Sequence, residues 1–398
     1  MILSEMPAIL GGKPAFETMV DVVGPVVPAL ETISDRLAEA MRTGRLTNNG
    51  TYVREFEAAC REYLGAKHAI ALSNGTLSLV LMLKGRGLTG RVIIPSFTYI
   101  ATAHALEWAG VEPVFADIDP ETYCITPTTV EAAMVEGVSA VVAVPVFGNP
   151  CDVTGLQEFA DRHGLCLFYD SAHAFGSSID GVQVGNFGEA ESFSLHATKA
   201  LPAGEGGLLT TNDDDFAEWL MAARVFGDYG DHDTRFAGIN AKMPEFSALV
   251  ALEGLKNYPR MLDERQTMAH VYRSVLADLP GLKFQSMPGN RVSTYQNFSI
   301  QIDSEEFGMD RNLLHDALAA ENIMSRKYFW PAAHKHKAYS HIGVAVNALA
   351  TTDRVSEEIL CLPTHPAKAA EFTQRIAEAV VGIWERRAEI ARHGVQAR

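Results

Sequence analysis

The sequence predicts an α/β protein with a mostly parallel central sheet covered by helices on both faces, plus a smaller α/β domain toward the C-terminus. Three observations carry this reading. Short apolar runs of strand length, such as residues 91–95 and 165–169, alternate with stretches of helical spacing, as they do when strands are buried on both faces. A chain of 398 residues exceeds one small core and suits two domains sharing an interface, expected here as residues 1–256, N-terminal segment included, and 257–398. Apolar residues make up 47% and charged residues 21%, an ordinary globular balance.

Taken in order, residues 27–44 place Leu30, Ile33, Leu37, Ala40 and Met41 at helical spacing and end at a glycine. The polar turn 45–50 precedes an amphipathic helix over 52–64. The first strand falls on 68–72 and runs through Ser73-Asn74-Gly75-Thr76 into an apolar helix over 77–83. A second strand, 91–95, releases Pro95-Ser96-Phe97-Thr98-Tyr99 and a helix over 101–109. Strands at 113–117, 139–146 and 165–169 follow, and 192–194 with 208–211 flank a glycine-rich turn. Beyond residue 212 come helices at 216–225 and 246–255, separated by the charged, glycine-bearing segment 227–238, whose length suits a substrate lid. A long helix over 257–276 leads to strands at 282–284 and 296–301 and helices at 310–320 and 368–391.

Composition excludes several classes of function. A formal charge of −16 argues against nucleic acid, which needs clustered Lys and Arg. No apolar run approaches the roughly 18 residues that span a bilayer, so no membrane partner is expected. The opening Met-Ile-Leu-Ser-Glu-Met-Pro lacks a basic segment followed by an apolar core, which leaves the cytoplasm as the expected compartment. Cys60, Cys124, Cys151, Cys166 and Cys361 show neither metal-site spacing nor an even count, so no metal site is expected and Cys166 reads as a small buried hydrophobe.

Chemistry concentrates where strands end. The strand at 165–169 delivers Asp170 to its carboxyl end, where parallel sheets place their ligands. Lys199 stands between the hydroxyl-bearing Ser192-Phe193-Ser194 and the turn Gly204-Glu205-Gly206-Gly207, a setting that holds an amine against a bound carbonyl. An acid and such a lysine together suggest pyridoxal 5'-phosphate (PLP), the acid protonating the pyridine nitrogen and the lysine carrying the aldehyde. Ser73-Asn74-Gly75-Thr76 offers an anion unpaired N–H groups and a helix dipole, with Gly75 permitting close approach and Thr76 adding a hydroxyl; it reads equally as a plain helix cap. Tyr99, rather than Phe97, is the aromatic placed to lie on the cofactor ring, with a core aromatic as the alternative. His173 is placed to touch the ring's hydroxyl or face, the alternative being a structural histidine.

With those residues in hand, the chain resembles the DegT/StrS group of sugar aminotransferases, a branch of the fold-type I PLP enzymes, over nearly its whole length. The matching stretches are Leu46 to Gly50, Ser73 to Thr76, Pro95 to Tyr99, Asp170 to His173, Ser194 to Lys199 with Gly204 to Gly207, and Gly238 to Met243, and their order is more specific than any one of them. The resemblance implies that Lys199 binds PLP covalently, Asp170 pairs with the pyridinium, and Tyr99 stacks with His173 close by. It also implies that Gly75, Thr76 and Ser194 hold the phosphate, while Asn240 reaches the phosphate of a neighbouring subunit in a homodimer with shared active sites. The reaction so implied moves an amino group from glutamate, through pyridoxamine phosphate, to a nucleotide-linked keto sugar. The Phe-Ser-x-His-Ala-Thr-Lys and Gly-x-Asn-x-Lys-Met patterns and the stretch Arg326 to Pro331 with His334 look most like enzymes acting on a dTDP-4-keto-6-deoxyhexose. Leu201-Pro202-Ala203 and Lys242 depart from the usual pattern, and a lysine lacks the arginine fork for phosphate.

Other readings differ in what they require. A cyclitol or aminoglycoside-precursor aminotransferase would share the same cofactor machinery. A nicotinamide-binding protein would need Gly-x-Gly-x-x-Gly after the first strand, which Ser73-Asn74-Gly75-Thr76 does not supply. A non-catalytic PLP-binding sensor would add a basic DNA-binding segment, and the acidic charge gives it no support.

Overall fold

A computed structural model describes residues 6–342, 349–368 and 370–396. Residues 1–5, read above for a leader, and Ala369, inside the expected final helix, lie outside the described residues. The strands of the first half are β1 (His68–Leu72), β2 (Arg91–Pro95), β3 (Glu112–Ala116), β4 (Val138–Ala143), β5 (Cys166–Asp170), the short β6 (Ser178–Ile179) and β7 (Val182–Gln183), then β8 (Ala190–Ser194) and β9 (Gly207–Thr211). Seven of them form one sheet in the order β1-β9-β8-β5-β4-β2-β3. Strand β9 runs antiparallel to both neighbours and every other pair is parallel, so the remaining strands all end on the same side.

The expected strand over 139–146 stops at Ala143, because Pro145 has no N–H for the ladder and the chain turns through a short helical turn at Val146–Gly148. Cys166 proves half-buried rather than buried, since it opens β5 at the sheet's rim.

Alternation along the strands divides the core by face. Helices α1 (Leu30–Thr43), α2 (Thr51–Leu64), α3 (Gly75–Gly85), α4 (Ala101–Ala109), α5 (Pro127–Ala132), α6 (Val153–His163), α7 (Asp214–Ala223) and α8 (Glu245–Lys256) cover the sheet. Ala69, Ala71, Phe193 and Leu208 face α1, α2 and α8, whereas Ile70, Leu72, Phe168 and Leu209 face α3, α4 and α7. Helix α3 is apolar nearly all round, because it lies between the sheet and α4. Its sequence-predicted start at Leu77 moves back to Gly75, the Asn74 side chain accepting the Leu77 N–H at 2.8 Å as cap.

Helix α9 (Tyr258–Leu276) leads to β10 (Leu282–Phe284), β11 (Arg291–Val292), β12 (Phe298–Ile302), α10 (Ser304–Phe307), α11 (Arg311–Ala320), α12 (Ala350–Glu358) and β13 (Ile359–Leu362). Strands β10, β12 and β13 make a separate antiparallel sheet, while β11 pairs with β6, which in turn pairs with β7. The expected final helix over 368–391 is divided into α13 (Ala370–Glu385) and α14 (Arg387–Gln396). N-terminal residues join this part of the molecule, Val20 bridging Ile323 and Val23 bridging Thr364. The strand expected at 296–301 begins only at Phe298, which leaves Gln296 and Asn297 outside the ladder and free to face the site.

Candidate active site

A cavity of about 870 Å³ opens where β1, β2, β5 and β8 end. It brings together Gly75, Thr76, Tyr99, Asp170, His173, Ser194 and Lys199, seven of the residues singled out from the sequence. The eighth, Asn240, does not line it and lies exposed beside Lys242, which donates to its Oδ1 at 2.5 Å. The segment 227–238, expected to act as a lid, supplies no described lining residue to this cavity; Asp228 instead folds the segment on itself by accepting from Gly230 N–H at 2.7 Å.

Each polar group is placed by the end of a strand. Asp170 is the last residue of β5 and is 6% exposed. One carboxylate oxygen accepts from the Thr102 hydroxyl at 2.7 Å and the other from Ala172 N–H at 3.3 Å. Burial pushes its pKa up, opposed by these two donors and by the Lys199 charge. A buried carboxyl at the end of a parallel strand suits a hydrogen bond with a heterocyclic nitrogen.

Lys199 follows β8 on a loop closed by Leu195 N–H to Gly206 carbonyl at 2.9 Å and Ala197 N–H to Gly204 carbonyl at 2.8 Å. Burial brings its amine down from 10.5 to about 8, with Asp170 opposing. The amine thus holds a far larger neutral fraction near pH 8 than an exposed lysine, as a nucleophile toward an aldehyde requires.

Helix α3 points its N-terminus at the same space. Asn74 caps Leu77, and the N–H groups of Gly75 and Thr76 have no partner among the described residues. A Cβ on Gly75 would sit 3.0 Å from the Ser194 Cβ, so only glycine lets the helix start press against the end of β8. The cap reading therefore holds at Asn74, and the two residues after it leave N–H donors available to an anion.

Aromatic rings close the cavity. Tyr99 lines it and is 59% exposed, whereas Phe97 is buried against Tyr123, Phe147 and Phe329. His173 lies nearly parallel to Phe147, at 6.2 Å and 15°, and to Phe329, at 6.0 Å and 19°. Its Nδ1 is sealed from solvent without a partner, and burial together with Lys199 holds the ring well below its usual pKa, hence neutral. The residue lines the cavity, so a neutral imidazole borders the space a heterocycle would take.

Residues not found from the sequence complete the site. Thr102 could have been noticed as the hydroxyl one turn beyond Tyr99 in the first turn of α4. Glu191, fully buried beside Tyr169, accepts from the Ser171 hydroxyl at 2.5 Å and from Gly185 and Phe187 N–H groups at 2.6 and 2.9 Å, bracing the turn after Asp170. Burial pushes its carboxyl up to about 7. Gln296, Asn297, Tyr328 and Phe329 reach the cavity from the C-terminal third.

The profile of the DegT/DnrJ/EryC1/StrS aminotransferase family matches residues 29–381. The chain belongs to this family. It is similar to the dTDP-4-amino-4,6-dideoxy-D-glucose transaminase of Shigella dysenteriae, 32% identical over 93% of this chain and 98% of the relative. It is also similar to the GDP-perosamine synthase of Vibrio cholerae, 30% identical over 86% and 94%. Among solved structures, that of DesI in the presence of its TDP-sugar product superposes with a TM-score of 0.91 at 38% identity, covering 98% of this chain and 99% of that one. The protein is therefore an aminotransferase of a PLP-dependent family, with the α/β architecture of its relatives.

Proposed function

We propose that this aminotransferase moves the amino group of glutamate to the keto group of a dTDP-linked 4-keto-6-deoxyhexose, in the cytoplasm, with PLP held in the cavity at the strand ends and pyridoxamine phosphate as its intermediate form. The observation that carries the reading is the convergence of Lys199, Asp170, the free N–H groups of Gly75 and Thr76, and the His173 ring on one cavity. When bound, the cofactor supplies an electron sink for the carbanion at the amino-bearing carbon. Gly75, Thr76 and Ser194 would hold its phosphate, Asp170 would keep the ring nitrogen protonated, Tyr99 would cover the ring face, and His173 would meet its hydroxyl. Lys199 Nζ would tether the aldehyde and, once displaced by the donor, carry the proton between the substrate carbon and the cofactor.

Asn240 fits this reading as a residue lent to the neighbouring subunit. Residues around it run beside the edge strand β1, with Lys242 bridging Leu72 and Ser73 N–H donating to the Ala241 carbonyl, so Asn240 stands exposed beside the sheet edge. Lys199 is the sole lysine or arginine among the described lining residues, and a dicarboxylate donor and a diphosphate-linked sugar both need cations. A homodimer with shared sites supplies that lack. The names of the relatives support a nucleotide-sugar acceptor, and dTDP is favoured over GDP by the greater coverage of the first.

The test is incubation of the purified protein with PLP, glutamate and a panel of dTDP-, UDP- and GDP-linked keto sugars, with mass detection of products. Amination of the dTDP-4-keto-6-deoxyhexose ahead of the others is expected, and amination of a cyclitol alone would overturn the acceptor. Sharing is tested by mixing Lys199→Ala with Asn240→Ala subunits. Random pairing rebuilds one complete site in each mixed dimer, so about a quarter of wild-type activity should return.

A further inference from the structure

We propose that Gln296 is a positioning residue for Lys199, its side-chain amide standing in for a missing strand. The Gln296 carbonyl oxygen accepts from Ala200 N–H at 2.8 Å, and its amide nitrogen donates to the Thr198 carbonyl at 2.8 Å. These are the residues on either side of Lys199. One planar amide thus presents the donor and acceptor that a neighbouring strand would present, and it does so on both flanks of the reactive residue. Thr198 carbonyl and Ala200 N–H have no other partner among the described residues, so the geometry of the loop at Lys199 depends on this contact.

Gln296 can act in this way because it is itself fixed. It is 3% exposed, and its own N–H donates to the Phe147 carbonyl at 3.0 Å. The preceding Tyr295 holds a left-handed φ of 44°, which turns the chain so that the next side chain points inward. That conformation is secured from both sides, by Arg265 donating to the Tyr295 carbonyl at 2.9 Å and by Tyr295 N–H donating to the Ser293 hydroxyl at 3.0 Å. One residue earlier, Thr294 takes its N–H to the Ser177 hydroxyl at 3.0 Å and its own hydroxyl to the His173 carbonyl at 2.7 Å. Residues 293–296 therefore grip the His173 turn and the Lys199 loop together and set the spacing between them. Asparagine is one methylene too short to reach both flanks, and methionine matches the length of glutamine without its hydrogen bonds.

The inference rests on Lys199 as the reactive amine, and its test uses neither cofactor nor substrate. In the cofactor-free protein, the rate at which an amine-acylating reagent modifies Lys199 is followed by peptide mass spectrometry as a function of pH. The wild-type midpoint should fall near about 8. In Gln296→Met the loosened loop admits water to the amine, and the midpoint should move upward by at least about half a unit. Gln296→Asn is the milder variant, keeping one contact at most, and should shift the midpoint the same way by less. Folded Gln296→Met and Gln296→Asn proteins that keep the wild-type midpoint, whatever their melting temperatures, would reduce Gln296 to a structural contact and overturn the proposal. Because no substrate enters the experiment, a wrong acceptor assignment would leave its result untouched.

Discussion

The cavity has two walls of different origin. One is built from the ends of β1, β2, β5 and β8 and carries the groups that bond and ionise, namely Gly75, Thr76, Tyr99, Asp170 and Ser194, with Lys199 just beyond. The other arrives from the C-terminal third as Gln296, Asn297, Tyr328 and Phe329, an amide pair and two rings. The first wall sets what chemistry is possible, because strand ends and helix starts leave polar backbone and buried charge facing the ligand. The second sets how rigidly those groups are held. Its rings pack into the core, Phe329 lying 5.4 Å from Phe97 and 5.6 Å from Phe147, so stability and alignment depend on it more than bond-making does.

Substitutions on the two walls should consequently fail in different ways. The largest effect is expected at Lys199→Ala, which should lose at least about 10⁴-fold in turnover while the folded state persists, read by steady-state rates beside a melting curve. On the opposite wall, Phe329→Ala should destabilise by about 3–5 kcal/mol through lost packing, read by denaturant titration. Activity per folded molecule should fall much less there than at Lys199. A comparable loss of turnover from both substitutions, at equal folded fraction, would erase the distinction between the walls.

Protonation sharpens the comparison further. With the native amine of Lys199 at about 8 and the unfolded one at 10.5, the unfolded chain binds more protons between those values. Its contribution makes the cofactor-free protein more stable as pH rises through that window, by up to about 3 kcal/mol. Glu191, raised from 4.5 to about 7, acts with the opposite sign, and its contribution falls as pH rises between those values. The stability difference between wild type and Lys199→Met should therefore shrink from pH 8 to pH 10, which urea unfolding at each pH would reveal. The smallest effect belongs to Gly75→Ala. A Cβ pressed against Ser194 should displace the start of α3 and weaken PLP binding about five- to tenfold, or about 1 kcal/mol, by equilibrium titration.

How far the sequence could be read follows the same division. Strands at 68–72 and 91–95 and the helix at 101–109 matched the structure residue for residue, because buried parallel strands are unbroken apolar runs with polar punctuation. The groups of the first wall sit within a few residues of those strand ends, so reading the strands also located the chemistry. The second wall has no such local mark. Gln296 looked like the start of a strand, and only the left-handed turn at Tyr295 and the ladder beginning at Phe298 free its amide to bracket Lys199. Segment 227–238, which supplies no described lining residue to its own chain's cavity, shows a related limit. Length and charge are visible in a sequence, whereas the bonds that Asp228 makes within the segment are not.

The central claim is that the amine of residue 199 carries the cofactor's aldehyde. Reduction of the PLP-loaded protein with borohydride, followed by proteolysis and mass spectrometry, tests it directly. The account predicts a single phosphopyridoxyl group on Lys199, and prior addition of glutamate should prevent its attachment. A label on another lysine, or none on a protein that has nevertheless bound PLP, would contradict it.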